Sequence, residues 1–360
     1  MVSAENARNW MIYGANGYTG ALCAEEAVKR GLRPVLAGRT AERIVPLAER
    51  LGLEHRVFGL GEPSVTEENL GGIELVLHCA GPFSATSRPM VDACVRTRAH
   101  YFDITGEIGV FEYIHENDAR WRDAGIAAIP GMGFDVVPTD CLAAMLKEDM
   151  PDAHTLRIAF KGAGAKMSAG TTKTMIEGLG EGSAVRRHGR IERIPPGSLT
   201  REIPFEEGAA ELAMAIPWGD LATAWYSTGI PNIETFVYAD PAQLRQLRTV
   251  SRLAWLLRMN TIKRAVQALV GKYVKGPNEE ERQSGYMLCF GEAEGPGGNT
   301  VTRRLRTPEG YWFTVLATLA GVERWLQDGL EPGAQTPSMA FGPRFVHTIE
   351  GVQESASKTA

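Results

Sequence analysis

Four side chains have the chemistry to move a proton: Tyr101, Asp103, Glu107 and Asp135. Carboxylic acids and phenols act as general acids or bases when their surroundings hold a proton at the working pH. Each of the three carboxylates also stands next to the start of a helix, where capping is the ordinary role. Upstream, Gly14, Gly17 and Gly20 form a G-x-x-G-x-x-G pattern directly after the apolar run Trp10-Met11-Ile12-Tyr13. Glycines so placed let the chain turn sharply and leave no side chain where a pyrophosphate approaches. The free N–H groups and the dipole of the following helix then hold the phosphates. Gly14, Ala15, Asn16, Gly17, Tyr18 and Thr19 are therefore candidate phosphate contacts. Past the loop, a second apolar run ends in Gly38-Arg39-Thr40, with Arg43 one turn later. An NAD site places an Asp or Glu there for the ribose 2′-OH. A guanidinium can instead pair with a 2′-phosphate, so the expected cofactor is NADP(H).

The elements that must position these groups follow a regular pattern. Short candidate strands at 10–13, 35–38, 55–58, 74–80, 100–104 and 126–129 alternate with segments of helical character. Strands alternating with helices at this spacing predict a doubly wound parallel sheet, which binds ligands beyond the carboxyl ends of its strands. The fourth run ends in Cys79-Ala80-Gly81-Pro82-Phe83 and the fifth in Thr105-Gly106. These are candidates for the nicotinamide end, with Phe83 available to pack on the ring. His78 and Cys79 read as packing rather than catalysis, and Asp140, like Asp135, as a cap.

The chain has 360 residues, 44% of them apolar and 22% charged, with a net charge of −5. That describes a globular chain of two domains and argues against nucleic-acid binding. The five cysteines form no C-x-x-C pair and read as reduced thiols. The opening residues do not read as a signal peptide, and no eighteen-residue apolar run and no His/Cys/carboxylate cluster for a metal is seen, so a cytoplasmic protein without metal is expected. The tail 353–360 reads as disordered and His347 has no visible partner. No Ser-x-x-x-Lys or Tyr-x-x-x-Lys dyad follows the fourth or fifth strand, which argues against short-chain dehydrogenase chemistry.

Beyond residue 155 the pattern changes. Strands are expected at 156–160, 191–194, 233–238, 286–292 and 300–307, a helix opens at 168–173, and a long helix spans 310–330. The segment 241–275 carries eight Lys or Arg and no acidic residue. Its plain reading is amphipathic helices with a solvated basic face; its sharper one is a lid over an apolar tunnel, or a surface that docks on a membrane or a carrier protein.

Taken together, Tyr13-Gly14-Ala15-Asn16-Gly17-Tyr18-Thr19-Gly20, Leu36-Ala37-Gly38-Arg39, Cys79-Ala80-Gly81-Pro82-Phe83, Tyr101-Phe102-Asp103-Ile104-Thr105-Gly106-Glu107, Gly133-Phe134-Asp135-Val136-Val137-Pro138-Thr139-Asp140 and Thr336-Pro337-Ser338-Met339-Ala340-Phe341-Gly342-Pro343 resemble the saccharopine dehydrogenase-like family of NADP-dependent oxidoreductases. The likeness is to its short branch, which includes trans-acting enoyl reductases. It implies an α/β fold, with an N-terminal Rossmann domain (1–137), an inserted α+β substrate domain with a mixed sheet (138–307) and an interdomain helix with a C-terminal return to the Rossmann domain (308–360). The expected activity is hydride transfer between NADPH and a C=N, C=C or C=O bond of a small-molecule or acyl, lipid-like substrate. A non-catalytic NADP-binding sensor or assembly subunit is the alternative, and a homodimer is a further expectation.

Overall fold

The computed structural model describes residues 8–163, 182–242, 244–245 and 276–359. The expected helix opening at 168–173 and most of the basic segment (243 and 246–275) lie outside the described residues. The chain divides into two compact units, Met1–Phe134 with Thr314–Phe341, and Asp135–Phe313 with Gly342–Ala360.

The first unit opens with β1 (Trp10–Tyr13), α1 (Tyr18–Lys29), β2 (Val35–Gly38), α2 (Ala41–Leu51), β3 (His55–Val57) and α3 (Pro63–Asn69). It continues through β4 (Leu75–His78), α4 (Phe83–Thr97), β5 (His100–Asp103), α5 (Ile108–Glu116), α6 (Asp118–Ala124) and β6 (Ala127–Ile129). The helical stretch between β5 and β6 is two helices, parted at Asn117. β1, β2 and β4 are buried at every position, as strands sandwiched between helix layers must be. α2 turns an apolar stripe inward through Ile44, Leu47 and Ala48, and closes on Gly52 at φ +63°.

The second unit holds α7 (Val137–Asp149), β7 (Thr155–Ala163), β8 (Ser183–Arg187), β9 (Arg190–Ile194), β10 (Thr200–Ile203), β11 (Glu211–Ala215), α8 (Asp220–Thr228), β12 (Asn232–Tyr238), α9 (Glu279–Ser284), β13 (Tyr286–Glu294) and β14 (Thr300–Pro308). α10 (Gly310–Asp328) follows, then β15 (Gly333–Ala334), α11 (Pro337–Phe341) and β16 (Gln353–Thr359).

The first sheet is parallel throughout, in the order β15-β6-β5-β4-β1-β2-β3. This is a Rossmann sheet extended at one edge by β15. The strand order reverses between β1 and β4, so a crevice opens at the ends of these two strands. The second sheet runs β10-β11-β12-β7-β13-β14-β16, with β8 against β12 and β9 against β8; only the β12–β7 pair is parallel. The mixed sheet is as expected.

The C-terminal return differs from the sequence reading in two respects. Residues 314–341 join the first unit, but 342–360 belong to the second. The tail is not disordered: β16 pairs antiparallel with β14, where ladder hydrogen bonds offset the low hydrophobicity that made it read as disordered. Nor is His347 without a partner, since its Nε2 lies 3.0 Å from Glu354 on β16.

Candidate functional site

Two of the loop glycines, Gly14 and Gly20, sit in close contacts that admit no Cβ. Gly14 sits at φ +81°, and a Cβ there would lie 2.8 Å from Ala80 at the end of β4. A Cβ on Gly20 would collide with the Gly14 carbonyl oxygen. Gly14 and Ala15 donate to the Ala37 carbonyl at 2.8 and 3.1 Å, and Gly17 donates to the Gly14 carbonyl at 2.9 Å. The loop is thereby pinned to the ends of β2 and β4. Asn16 lies against Gly38, where a Cβ would meet its Oδ1 at 2.8 Å. Asn16, Gly17, Tyr18 and Thr19 are half-exposed.

Two helix starts near this loop are electrically opposite. No side chain caps α1, and its first turn has no acidic residue. α4, by contrast, is occupied: the Glu107 carboxylate accepts from Phe83 N at 2.9 Å and from Ser84 N at 2.7 Å. A charge already sits where the α4 dipole would draw an anion, so phosphate is directed to α1. Arg39 and Arg43 are exposed, and neither makes an ion pair among the described residues; Thr40 starts α2 without a side-chain cap. A loop that excludes a Cβ at Gly14 and Gly20, an uncapped helix start and two unpaired guanidinium groups fit a dinucleotide carrying a 2′-phosphate.

Three of the four proton-moving candidates are joined in one hydrogen-bonded brace. Tyr101 OH donates to Asp103 Oδ2 at 2.8 Å, while Asp103 Oδ1 accepts from Thr105 N and Gly131 N, each at 2.9 Å. Thr105 Oγ1 accepts from Glu107 N at 3.0 Å. The ends of β4, β5 and β6 are thus tied to one another. Asp103 and Tyr101 are fully buried. Burial raises the Asp103 pKa to about 6, against the opposing pull of the Thr105 and Gly131 N–H groups, and it pushes the Tyr101 phenol well above its ordinary value.

The β4 end is held from a second side. His78 Nε2 lies 3.0 Å from Thr86 Oγ1, which donates to the Ala80 carbonyl at 2.6 Å. Burial lowers the His78 pKa to about 3, so the ring is neutral and packs, as the sequence reading favours. Phe83, expected to be available for stacking, is buried edge-on against His78 at 5.5 Å; an apolar ring at the first position of α4 is drawn into the core. Cys79, Ala80 and Gly106 are half-exposed, Gly81 and Pro82 exposed, and Thr105 buried. The five cysteines carry no disulfide. Among the described residues there is no group of three His, Cys, Asp or Glu able to hold a metal, and no helix is long and apolar enough to cross a membrane.

Glu107→Gln tests the brace. An amide keeps one acceptor, loses the charge at the α4 N-terminus, and is expected to cost about 1 kcal/mol of stability. Chemical denaturation reads this directly, and an unchanged midpoint would mean the cap is idle.

Asp135 differs from the other three. It follows Phe134 in the segment leaving β6, is partly exposed, and accepts no hydrogen bond among the described residues. Desolvation pushes its pKa up to about 7.

Comparison with known proteins settles the class of the first unit. The family model described as the saccharopine dehydrogenase NADP binding domain matches residues 10–129. Those residues are a saccharopine dehydrogenase NADP-binding domain, and its cofactor is NADP(H). The chain is 26% identical over 227 residues to the human saccharopine dehydrogenase-like oxidoreductase, covering 55% of this chain and 52% of that one. It is 34% identical over 140 residues to a trans-acting enoyl reductase of Mycobacterium leprae, covering 36% of this chain and 33% of that one. The chain thus spans about half or less of the length of these relatives. Among solved structures, saccharopine dehydrogenase (L-Glu forming) from Saccharomyces cerevisiae superimposes with a TM-score of 0.64 at 13% identity, covering 98% of this chain and 100% of that one. Homospermidine synthase from Legionella pneumophila in complex with NAD gives 0.64 at 9% identity, covering 97% and 92%. Likeness at these identities shows the fold. The comparisons therefore assign an NADP-binding domain to residues 10–129 and a shared fold to the chain as a whole.

Proposed function

We propose that this chain is an NADPH-dependent reductase that completes the reduction of a C=N, C=C or C=O bond with a proton from Asp135. The observation that carries this reading is the Asp135 carboxyl itself. Of the four candidates it alone is not spent on the brace, and its pKa of about 7 is close to the ideal for a general acid at neutral pH. When bound, NADPH supplies a hydride. In this reading Gly14, Ala15, Asn16, Gly17, Tyr18 and Thr19 hold the pyrophosphate, and Gly38, Arg39, Thr40 and Arg43 hold the 2′-phosphate end. Cys79, Ala80, Gly81, Pro82, Thr105 and Gly106 border the nicotinamide ribose. Tyr101, Asp103 and Glu107 position those strand ends. The similarity to a trans-acting enoyl reductase makes a conjugated C=C bond on an acyl or lipid-like substrate the first acceptor to try.

The test is NADPH oxidation against a panel of imines, enones, enoyl thioesters and ketones. Turnover of one class is the expected result. Tight NADPH binding with no turnover across the panel would replace the reductase by a non-catalytic NADP sensor or assembly subunit.

A further inference from the structure

Within the second unit, α8 presents three polar side chains on one face. Asp220, Thr223 and Ser227 recur at i, i+3 and i+7, which aligns them along a single stripe of a helix. Asp220 and Thr223 are fully buried. Asp220 Oδ1, Thr223 Oγ1 and Ser227 Oγ are all shielded from solvent and find no hydrogen-bond partner among the described residues. A buried polar group without a partner is costly. Three in a row on one helical face mark a lane built for something polar. Ser227 is partly exposed as a residue, so the lane has an end near the surface.

The inner end of the stripe meets α7. Thr139 Oγ1 lies 2.9 Å from Asp220 Oδ2 and 3.1 Å from the Val136 carbonyl oxygen. Thr139 has one hydroxyl proton, and a carbonyl can only accept. Both contacts are satisfied together if Thr139 donates to Val136 and protonated Asp220 donates to Thr139. The two contacts thus accommodate Asp220 as a neutral acid. Burial, reinforced by the charges of Asp140 and Asp135, acts in the same direction and raises its pKa well above the carboxylate range. The groups whose charges Asp220 feels, or that feel its charge, are Asp140 on α7, Asp135 just before it and Cys289 on β13. The cation that reaches α8, Arg186 of β8, spends its Nε on the Leu221 carbonyl and its Nη1 on the Gly189 carbonyl. Glu234 on the neighbouring β12 pairs with Arg157 and Arg187.

We propose that Asp220, Thr223 and Ser227 form a hydrated proton path that restores the proton Asp135 gives up. This rests on the reading of Asp135 as the proton donor. In each cycle the Asp135 carboxyl releases a proton to the reduced substrate and becomes a carboxylate. Asp220 passes its proton to Asp135, and water held along Thr223 and Ser227 returns one from solvent to Asp220. The net consumption is one hydride from NADPH and one proton from solvent per bond reduced. Asp220 is a positioning and relay residue and does not touch the substrate.

Three measurements test this on the full chain. First, infrared difference spectra between wild type and Asp220→Asn at pH 8 should show a protonated-carboxyl C=O stretch that the variant lacks. Absence of the band overturns the proposal. Second, Thr223→Val keeps shape and removes the hydroxyl. If that hydroxyl binds ordered water, the variant melts about 2–4 °C lower; if it is idle, the variant is as stable as wild type or more so, and the path fails. Third, on a panel substrate Asp220→Asn should lower kcat about 10-fold or more with the KM for NADPH unchanged and a larger solvent isotope effect on kcat. An unaltered kcat overturns the relay. An empty panel would sink the reductase reading and the delivery role together, whereas the infrared band and the melting shift report on the buried acid and its lane regardless.

Discussion

Replacing Asp135 by Asn is expected to lower kcat by roughly 10²- to 10⁴-fold, the range for loss of a positioned general acid, while NADPH binding stays near wild type. In the wild type, kcat should fall about tenfold per pH unit above the Asp135 pKa of about 7, because only the protonated carboxyl donates; the profile of the variant should lose that limb. Stability should move the other way. Desolvation raises the Asp135 pKa in the folded chain from its ordinary 3.8 to about 7. The folded state therefore keeps this proton to higher pH than the unfolded chain. The group costs least below its unfolded pKa, and the cost grows as pH rises to about 7. Asp135→Asn should accordingly be more stable than wild type at pH 8, with the gap closing towards pH 4. A variant that loses activity and also melts earlier at pH 8 would point to a structural role and refute the assignment.

The second large effect belongs to Arg39. Removing a guanidinium that pairs with a 2′-phosphate forfeits charge-assisted hydrogen bonds worth about 1.5–3 kcal/mol. Arg39→Ala should therefore raise the Kd for NADPH by about 10- to 100-fold, with little change for NADH. Arg39 is exposed, so the loss should sit at the low end of that range in high salt. Arg43, one turn along α2, should give a smaller effect of the same sign. Calorimetric titration of both cofactors into both proteins decides it: equal weakening of NADPH and NADH would mean that Arg39 does not read the 2′-phosphate.

How much of this was legible in the sequence depends on how local the cause is. The Rossmann half could be read because strands such as β1, β2 and β4 are short, mostly apolar runs and turns carry their own glycine, as at Gly14 and Gly52. The part of Arg39 in holding the cofactor is a proposal, but its exposed position could be read because it directly follows the end of β2. The roles of Tyr101, Asp103 and Glu107 could not. A carboxylate at a strand end looks catalytic until one sees the backbone N–H groups that occupy it, and those lie far along the chain: Gly131 is 28 residues from Asp103, and Phe83 is 24 from Glu107. β8, β10, β11 and α8 escaped the sequence reading for a related reason. In a sheet with charged and apolar positions on the same face, as at Arg157, Glu234 and Glu292, alternation is blurred by ion pairs between strands. The stripe at Asp220, Thr223 and Ser227 had helical spacing in plain view. Only the structure shows that all three oxygens are buried and that Thr139 faces the first of them. β16 was hidden because its polar residues are held by the β14 ladder rather than by a core.

The measurement that bears most directly on the central claim is hydride transfer itself. NADPH labelled with deuterium at either face of nicotinamide C4 should be supplied with the panel substrate and the product mass determined. With one of the two labelled cofactors the product should carry a single deuterium, and with the other none, because a site that holds the nicotinamide in one orientation presents one face. A product free of deuterium with both cofactors, from a protein that binds NADPH, would contradict the account.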